Sequence, residues 1–204
     1  MLVDHGRPRR PPAPPAPPPP AIAMSESRQQ SVGGRRQTCG MERHAAWISV
    51  PSPIGDLGVA ADAGEITAVH FGGVGRHPIA TSRGAVLERA RQQFDAYFAG
   101  ELTDFDLPLA VPGGSDFEQA VWKAIAEIGY ADMATYGDIA KTVGDKDAAR
   151  AVGVACNRNP VPIIVPCHRV VGAGGKLVGF GGGLDRKRFL LQLEARVRVE
   201  RDFQ

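Results

Sequence analysis

Two helix-start signatures, Ser115-x-x-Glu118 and Thr135-x-x-Asp138, constrain the C-terminal half of this chain more than any other feature. In the first, hydroxyl and carboxylate can satisfy each other's orphan backbone donors. Phe117, Val121, Ile125 and Ile128 follow at helical spacing, and Gly129 ends the element. The second signature opens a short helix through Tyr136, Ile139, Ala140 and Val143, closed by Gly144. A third helix is expected over 148–157, with Asp147 as its cap. Helix, glycine-containing turn, helix is the pattern of a helix-turn-helix, although many helical hairpins share it. The exposed side chains of the third helix would be mainly Ala148, Ala149, Arg150, Ala151 and Gly153. Small residues let a backbone approach a surface closely, and one long cation stands out among them. Such a slim helix can press toward a DNA minor groove, about 6 Å wide; packing against another helix accounts for the same residues equally well.

The rest of the chain is organised differently. The first 20 residues hold nine of the seventeen prolines, in the run PPAPPAPPPP, and read as extended polyproline II rather than packed structure. With the polar stretch 25–40 this gives an expected disordered, Pro/Arg-rich tail over 1–40, six basic side chains against two acidic. Met24 or Met41 could equally be the biological start. From Trp47, the short apolar runs WISV, LGVAA and EITAVHF, punctuated by Pro51, Pro53, Gly55, Gly58 and Gly64, predict a strand-and-turn meander. Leu87, Ala90, Phe94, Tyr97 and Phe98 then share one helical face, stopped by Gly100. His70 and His77 read as structural histidines rather than metal ligands. No run approaches the ~20 apolar residues of a membrane span, and three scattered cysteines cannot build a disulfide framework. Seven basic side chains and only Asp185 fall within 148–191, a segment where a polyanion could be held.

That segment also carries the chemistry. In NPVPIIVPCHRVV, Pro160, Pro162 and Pro166 are expected to hold the run extended, delivering Cys167 beside His168. If Pro166 starts a helical turn, unpaired backbone N–H groups would favour the thiolate, the form that attacks. Neighbouring residues do not face each other, so a water bridge between thiol and imidazole is the reasonable geometry. Glu194, on the last predicted helix, is the candidate to orient the imidazole. Downstream, GAGGKLVGFGGG fits neither a Walker pattern nor a dinucleotide fingerprint, but can line a pocket with backbone groups. Arg186, Lys187 and Arg188 suit phosphate contacts, with a solvated helix face as the alternative.

Pro166-Cys167-His168-Arg169-Val170 resembles the active-site signature of the O6-alkylguanine-DNA alkyltransferases, the methylated-DNA–protein-cysteine methyltransferases. The resemblance continues through SPIGDLGVAADAGEITAVHF, FDAYFAGELTDFDLPL, FEQAVWKAI, AARAVG and LLQLE, covering nearly everything after residue 45. It implies an α/β (α+β) fold: a small ribonuclease-H-like domain over 41–113, then a mostly helical DNA-binding domain with a helix-turn-helix over 114–198, with 199–204 as a tail. It implies direct, single-turnover transfer of an alkyl group from guanine O6, and less efficiently thymine O4, to the protein's own cysteine. By position, Cys167 resembles the acceptor, His168 the water-relayed base, Glu194 its orienting partner and Asn159 the brace of the active-site turn. Tyr136 matches the tyrosine that donates toward the guanine ring. Arg150 matches the finger that fills the gap left by the flipped nucleotide, with Ala149, Ala151, Gly153 and Arg169 as further DNA contacts. Val170, Phe180 and Gly181 match the pocket wall.

The same resemblance implies double-stranded DNA carrying O6-alkylguanine as partner, no cofactor, no membrane and a cytoplasmic protein, nucleoid-associated if prokaryotic. It also implies a monomer, with cooperation between copies along DNA left open. Some relatives hold zinc in the first domain; residues 41–113 show no Cys/His set with ligand spacing, so no metal is expected. Phe180 and Gly181 stand where some relatives have tyrosine and a hydroxyl residue. A non-catalytic DNA-damage binder is disfavoured by Cys167, and an unrelated thiol hydrolase leaves the helix-turn-helix unexplained.

Overall fold

The computed structural model describes residues 45–77, 84–111 and 113–203. The tail expected over 1–40 lies outside the described residues. Strands β1 (Ala46–Val50), β2 (Leu57–Asp62) and β3 (Glu65–Phe71) form an antiparallel sheet in that order, with a bulge at Ala60/Ala61. Gly58 allows this sheet to take a loop close against it, because a Cβ there would sit 2.3 Å from the Gly73 carbonyl oxygen. Helix α1 (Ala85–Ala99) packs across all three strands through Leu87, Ala90, Phe94 and Tyr97. Gly100 ends it at φ 82°, where a side chain would be strained and would also strike Val197.

The chain then returns along β3. The Ile66 N–H donates to the Pro108 carbonyl at 2.8 Å, and Ala110 N–H to the Ile66 carbonyl at 3.0 Å. Helix α2 (Asp116–Ala126) follows, with both bonds of the Ser115/Glu118 capping box formed. A two-residue strand β4 (Ala134–Thr135) leads into α3 (Tyr136–Thr142), whose Thr135/Asp138 box is also complete. Each box contributes about 1 kcal/mol to its helix. Helix α4 (Ala149–Asn157) completes the helix-turn-helix. Asp147 does not cap it: Ala148 holds the cap position without a side-chain bond, and Asp145 instead accepts the Asp147 N–H at 3.1 Å, closing the turn locally.

The proline run is not extended as expected. Val165 N–H donates to the Val161 carbonyl at 3.0 Å, so the chain folds back at Ile163, which sits at φ 76°. A β-branched residue in that region costs roughly 1–3 kcal/mol. Burial of Ile163 in the core and the Asn159 amide, which bonds both arms of the turn, offset it. After strand β5 (Val170–Val171) and the glycine loop, α5 runs Leu184–Asp202. It passes the boundary expected at 198, so residues 199–202 are helix rather than tail. The result is a mixed α/β protein: a small three-stranded sheet with α1, then a mostly helical half. One continuous apolar core, from Ile48 to Val197, joins the two, and the Val69 N–H bonds the Pro160 carbonyl across the join at 2.8 Å.

Candidate active site

Parallel pairing of β4 with β5 sets Ala134 opposite Val170 and Thr135 opposite Val171, so Tyr136 begins α3 close to the Cys167 segment. Pro166 has φ −83° and ψ 61°, and the Cys167 N–H donates to the Val165 carbonyl at 2.8 Å: an inverse γ-turn centred on the proline. Cys167, His168 and Arg169 then form a single 3₁₀ turn, with the Arg169 N–H on the Pro166 carbonyl. Two of the N–H groups expected to face the sulfur are therefore consumed. Cys167 is only 4% exposed, and burial pushes its thiol above the ordinary value. The Asn159 side chain and the charge on Lys187 pull the other way without prevailing. The resting group is a thiol, not the ready thiolate expected from the turn.

Behind it lies a carboxylate with five donors. Glu194 Oε1 accepts from Tyr97 Oη at 2.8 Å, His168 Nε2 at 2.9 Å and Arg169 Nη2 at 2.9 Å. Its Oε2 accepts from the Ala131 N–H and Arg169 Nε, each at 3.0 Å. Burial alone would raise the Glu194 carboxyl, but the hydrogen bond from His168, the charge that ring carries once protonated at acid pH, and the bonds and charge of Arg169 outweigh it and hold the group down to about 2. Burial pushes His168 below its ordinary value, more than Glu194 restores, so the imidazole is neutral at pH 7. A neutral ring that donates from Nε2 keeps its lone pair on Nδ1, and that buried atom has no protein partner. It is the atom free to take a proton.

Arg169 is accordingly not a DNA contact. It is 6% exposed, and its guanidinium is committed to Glu194 and to the Ile128 carbonyl. Lys187 departs further from expectation: fully buried, it donates from Nζ to the carbonyls of Val170 (2.7 Å), Val178 and Gly179 (both 3.2 Å). Three carbonyls require three N–H donors, hence an ammonium, although burial lowers its affinity for the proton. This cation ties the glycine loop to β5 and lies 5.7 Å from the Tyr136 ring centre. Val170 places its side chain in the core and offers its carbonyl to Lys187, and it is not among the described lining residues of either cavity beside the glycine loop. Sequence reasoning missed both Tyr97 and the inward turn of Lys187. Tyr97 carries only a hydroxyl on an otherwise apolar helical face as its signal.

Two cavities flank the glycine loop. One, of about 410 Å³, has Cys167, Asn159, Cys156, Phe180 and Gly181 on one side and the Phe71–His77 loop on the other. The second, a groove of about 700 Å³, runs between α3 and α4 and the loop, lined by Tyr136, Ala149, Arg150, Gly153, Val154 and Val178. Tyr136 Oη donates to the Val178 carbonyl at 2.8 Å, and burial raises its phenol to about 12, so it stays a proton donor at neutral pH. The ring lies beside α4 at Gly153, where a Cβ would meet it at an ordinary van der Waals distance of 3.8 Å. Ala151 is exposed but lies outside the groove, whereas Val154, 46% exposed, lines it. The positive charge of 148–191 is mostly committed within the protein. Besides Arg169 and Lys187, Arg158 pairs with Glu118, Arg188 with Asp185, and Arg186 bonds the Ile54 and Gly182 carbonyls. Among the described residues, Arg150 remains exposed and uncommitted at the groove.

Residues 46–111 match the family described as 6-O-methylguanine DNA methyltransferase, ribonuclease-like domain, and residues 116–196 the corresponding DNA binding domain. A methylated-DNA–protein-cysteine methyltransferase of Methanosarcina acetivorans is 49% identical over 148 residues, covering 70% of this chain and 94% of the relative. One from Mycobacterium tuberculosis is 48% identical over 150 residues, covering 72% and 90%. The crystal structure of Mycobacterium tuberculosis O6-methylguanine methyltransferase superposes with a TM-score of 0.67 at 44% identity, over 75% of this chain and 94% of that one. That of Mycobacterium tuberculosis OGT in complex with DNA gives 0.66 at 45% identity, over 74% and 94%.

Proposed function

This chain belongs to the methylated-DNA–protein-cysteine methyltransferase family, DNA-repair enzymes that transfer an alkyl group to a cysteine, and from that premise we propose that Cys167 is the acceptor and O6-alkylguanine in duplex DNA the donor. The carrying observation is the placement of the Cys167 thiol at the floor of a cavity, one residue from an imidazole fixed by Glu194.

The geometry supports the following sequence of events. A base inside a duplex is out of reach, so the lesion rotates out of the stack at a cost of a few kcal/mol, and Arg150, uncommitted on the slim face of α4, fills the gap. His168 Nδ1 takes the thiol proton through a water, and Glu194 stabilises the imidazolium that forms. The thiolate sulfur attacks the alkyl carbon in line; the S–C bond forms as the C–O6 bond breaks, and the electron pair leaves on the guanine. Tyr136, still protonated at neutral pH, donates toward the ring and neutralises it. The atoms balance without a further reactant, and the thioether is not hydrolysed, so each molecule acts once. Thymine O4 adducts are a secondary donor of the same chemistry. On this reading the protein acts as a monomer in the cytoplasm, at the nucleoid if its source is prokaryotic.

Duplex DNA carrying radiolabelled O6-methylguanine tests this reading. One equivalent of label is expected on the Cys167 peptide, and Cys167→Ser should accept none. Label on Cys39 or Cys156, or more than one equivalent transferred per molecule, overturns it. Arg150→Ala should slow reaction with duplex DNA more than reaction with free O6-benzylguanine; equal loss on both removes the finger.

A further inference from the structure

The proposed proton relay leaves the half-buried Tyr130 unused. It lies in the turn that joins α2 to β4, where the Asp132 N–H donates to the Gly129 carbonyl at 3.1 Å. Its hydroxyl is shielded from solvent and meets no hydrogen-bond partner among the described residues. Burial and the nearby Glu194 charge push the phenol up to about 12, so it stays neutral. A neutral hydroxyl with no acceptor neither gives nor takes a proton in the relay. The ring is what makes contact. The Arg169 guanidinium carbon stands over it, 5.6 Å from its centre, and the Tyr97 ring meets it edge-on, at 6.2 Å and 83°. Tyr130 therefore lies against two of the three side chains that bond Glu194, while its own hydroxyl bonds none of them.

That placement matters because Glu194 Oε1 is crowded. Tyr97 Oη, His168 Nε2 and Arg169 Nη2 reach it at 2.8, 2.9 and 2.9 Å, whereas a carboxylate oxygen offers about two lone-pair sites. Three donors share it only while each keeps its own direction. Arg169 is fixed within the guanidinium plane, by Glu194 along one edge and by the Ile128 carbonyl at Nη1. Bonds in that plane do little against tilting out of it, and the ring face beneath supplies the stop. The turn is built onto the same pair. Ala131 holds φ 60°, a conformation that side chains rarely adopt, and its N–H donates to Glu194 Oε2 at 3.0 Å. Asp132 accepts from Arg198 at 2.6 Å, one turn beyond Glu194 on α5. Tyr130 is thus carried by a backbone that both the carboxylate and its helix grip.

We propose that Tyr130 is a positioning residue for the proton relay: its ring holds Arg169 and Tyr97 in the directions that leave His168 Nε2 its share of Glu194 Oε1. The inference rests on Cys167 as acceptor and His168 as base, and adds a residue that acts on them only through Arg169 and Tyr97.

The test compares the full wild-type chain with Tyr130→Phe, which keeps the ring, and Tyr130→Leu, which removes it. Two readouts are taken at pH 7. One is the single-turnover rate of methyl transfer from O6-methylguanine in duplex DNA. The other is the proton NMR signal of His168 Nε2–H, assigned by its loss in His168→Asn. A proton bonded to a buried carboxylate resonates far downfield and exchanges slowly with water. Tyr130→Phe is expected to retain both wild-type values. Tyr130→Leu should lower the rate about tenfold and speed exchange of that proton by about as much. Tyr130→Met, which fills the space without a ring face, takes its place should the Leu variant not fold. A ring-less variant whose His168 signal is unchanged overturns the inference, whatever its rate, as does a Phe variant that falls as far as Leu. A wild type that transfers no methyl would instead sink the assignment of Cys167, and the NMR comparison would still decide the role of Tyr130.

Discussion

Glu194→Gln removes the charge on which the buried site is organised while keeping the size of the side chain. Its consequence can be worked out in two ways. The carboxyl is held at about 2 rather than its ordinary 4.5, which corresponds to about 3 kcal/mol in favour of the ionised, folded state at neutral pH. Independently, removing one partner of a buried ion pair costs roughly 3–5 kcal/mol, here because Arg169 keeps its charge with no anion beside it. The sign with pH follows from the depressed value: the contribution is complete above pH 4.5 and is lost as pH falls toward 2. Urea unfolding of wild type and Glu194→Gln should therefore differ by about 3 kcal/mol at pH 7, and the gap should narrow between pH 4.5 and 3. Without the carboxylate, the imidazole also loses the partner that fixes Nε2 as donor, so single-turnover methyl transfer should fall by about 10²–10⁴. A gap below 1 kcal/mol at pH 7, or one that stays constant down to pH 3, would refute this account of the site.

Three further outcomes are expected. Lys187→Met leaves the carbonyls of Val170, Val178 and Gly179 without their donor; it should cost at least ~2 kcal/mol in denaturant unfolding and slow transfer by loosening the loop. Gly182→Ala would place a Cβ 2.8 Å from the Phe71 ring and 2.9 Å from that of Phe180, and should lower stability by about 1–3 kcal/mol, measured by thermal melting. Because burial raises the Cys167 thiol, iodoacetamide at pH 7.5 should label it more slowly than free cysteine, with the rate still rising above pH 9. Labelling as fast as free cysteine would contradict the buried, protonated resting state.

What was legible in the sequence was what is decided locally. The Ser115 and Thr135 boxes formed because each closes within four residues, and the face of α1 followed from spacing alone. The Cys167–His168 segment stood out as the candidate for chemistry, but its shape was not legible: alternating prolines suggested extension, whereas the Asn159 amide gathers both arms of a turn at Ile163. The burial of charge was invisible. Nothing local distinguishes Lys187, which points inward, from Arg188, which pairs with Asp185 at the surface. Reading the segment's excess of cations as a polyanion footprint therefore overstated what remains free to meet DNA. Tyr97 and Glu194 stand 97 residues apart, and only the packing of α1 against α5 brings them within a hydrogen bond.

That last contact ties the two matched regions together as one instrument. The hydroxyl that completes the carboxylate's set of donors is supplied from the half that contributes no acceptor cysteine, and Gly100, just beyond it, lies against Val197 on the helix carrying that carboxylate. Removing residues 45–111 would thus take from Glu194 one of its five donors and from Val197 the backbone it lies against.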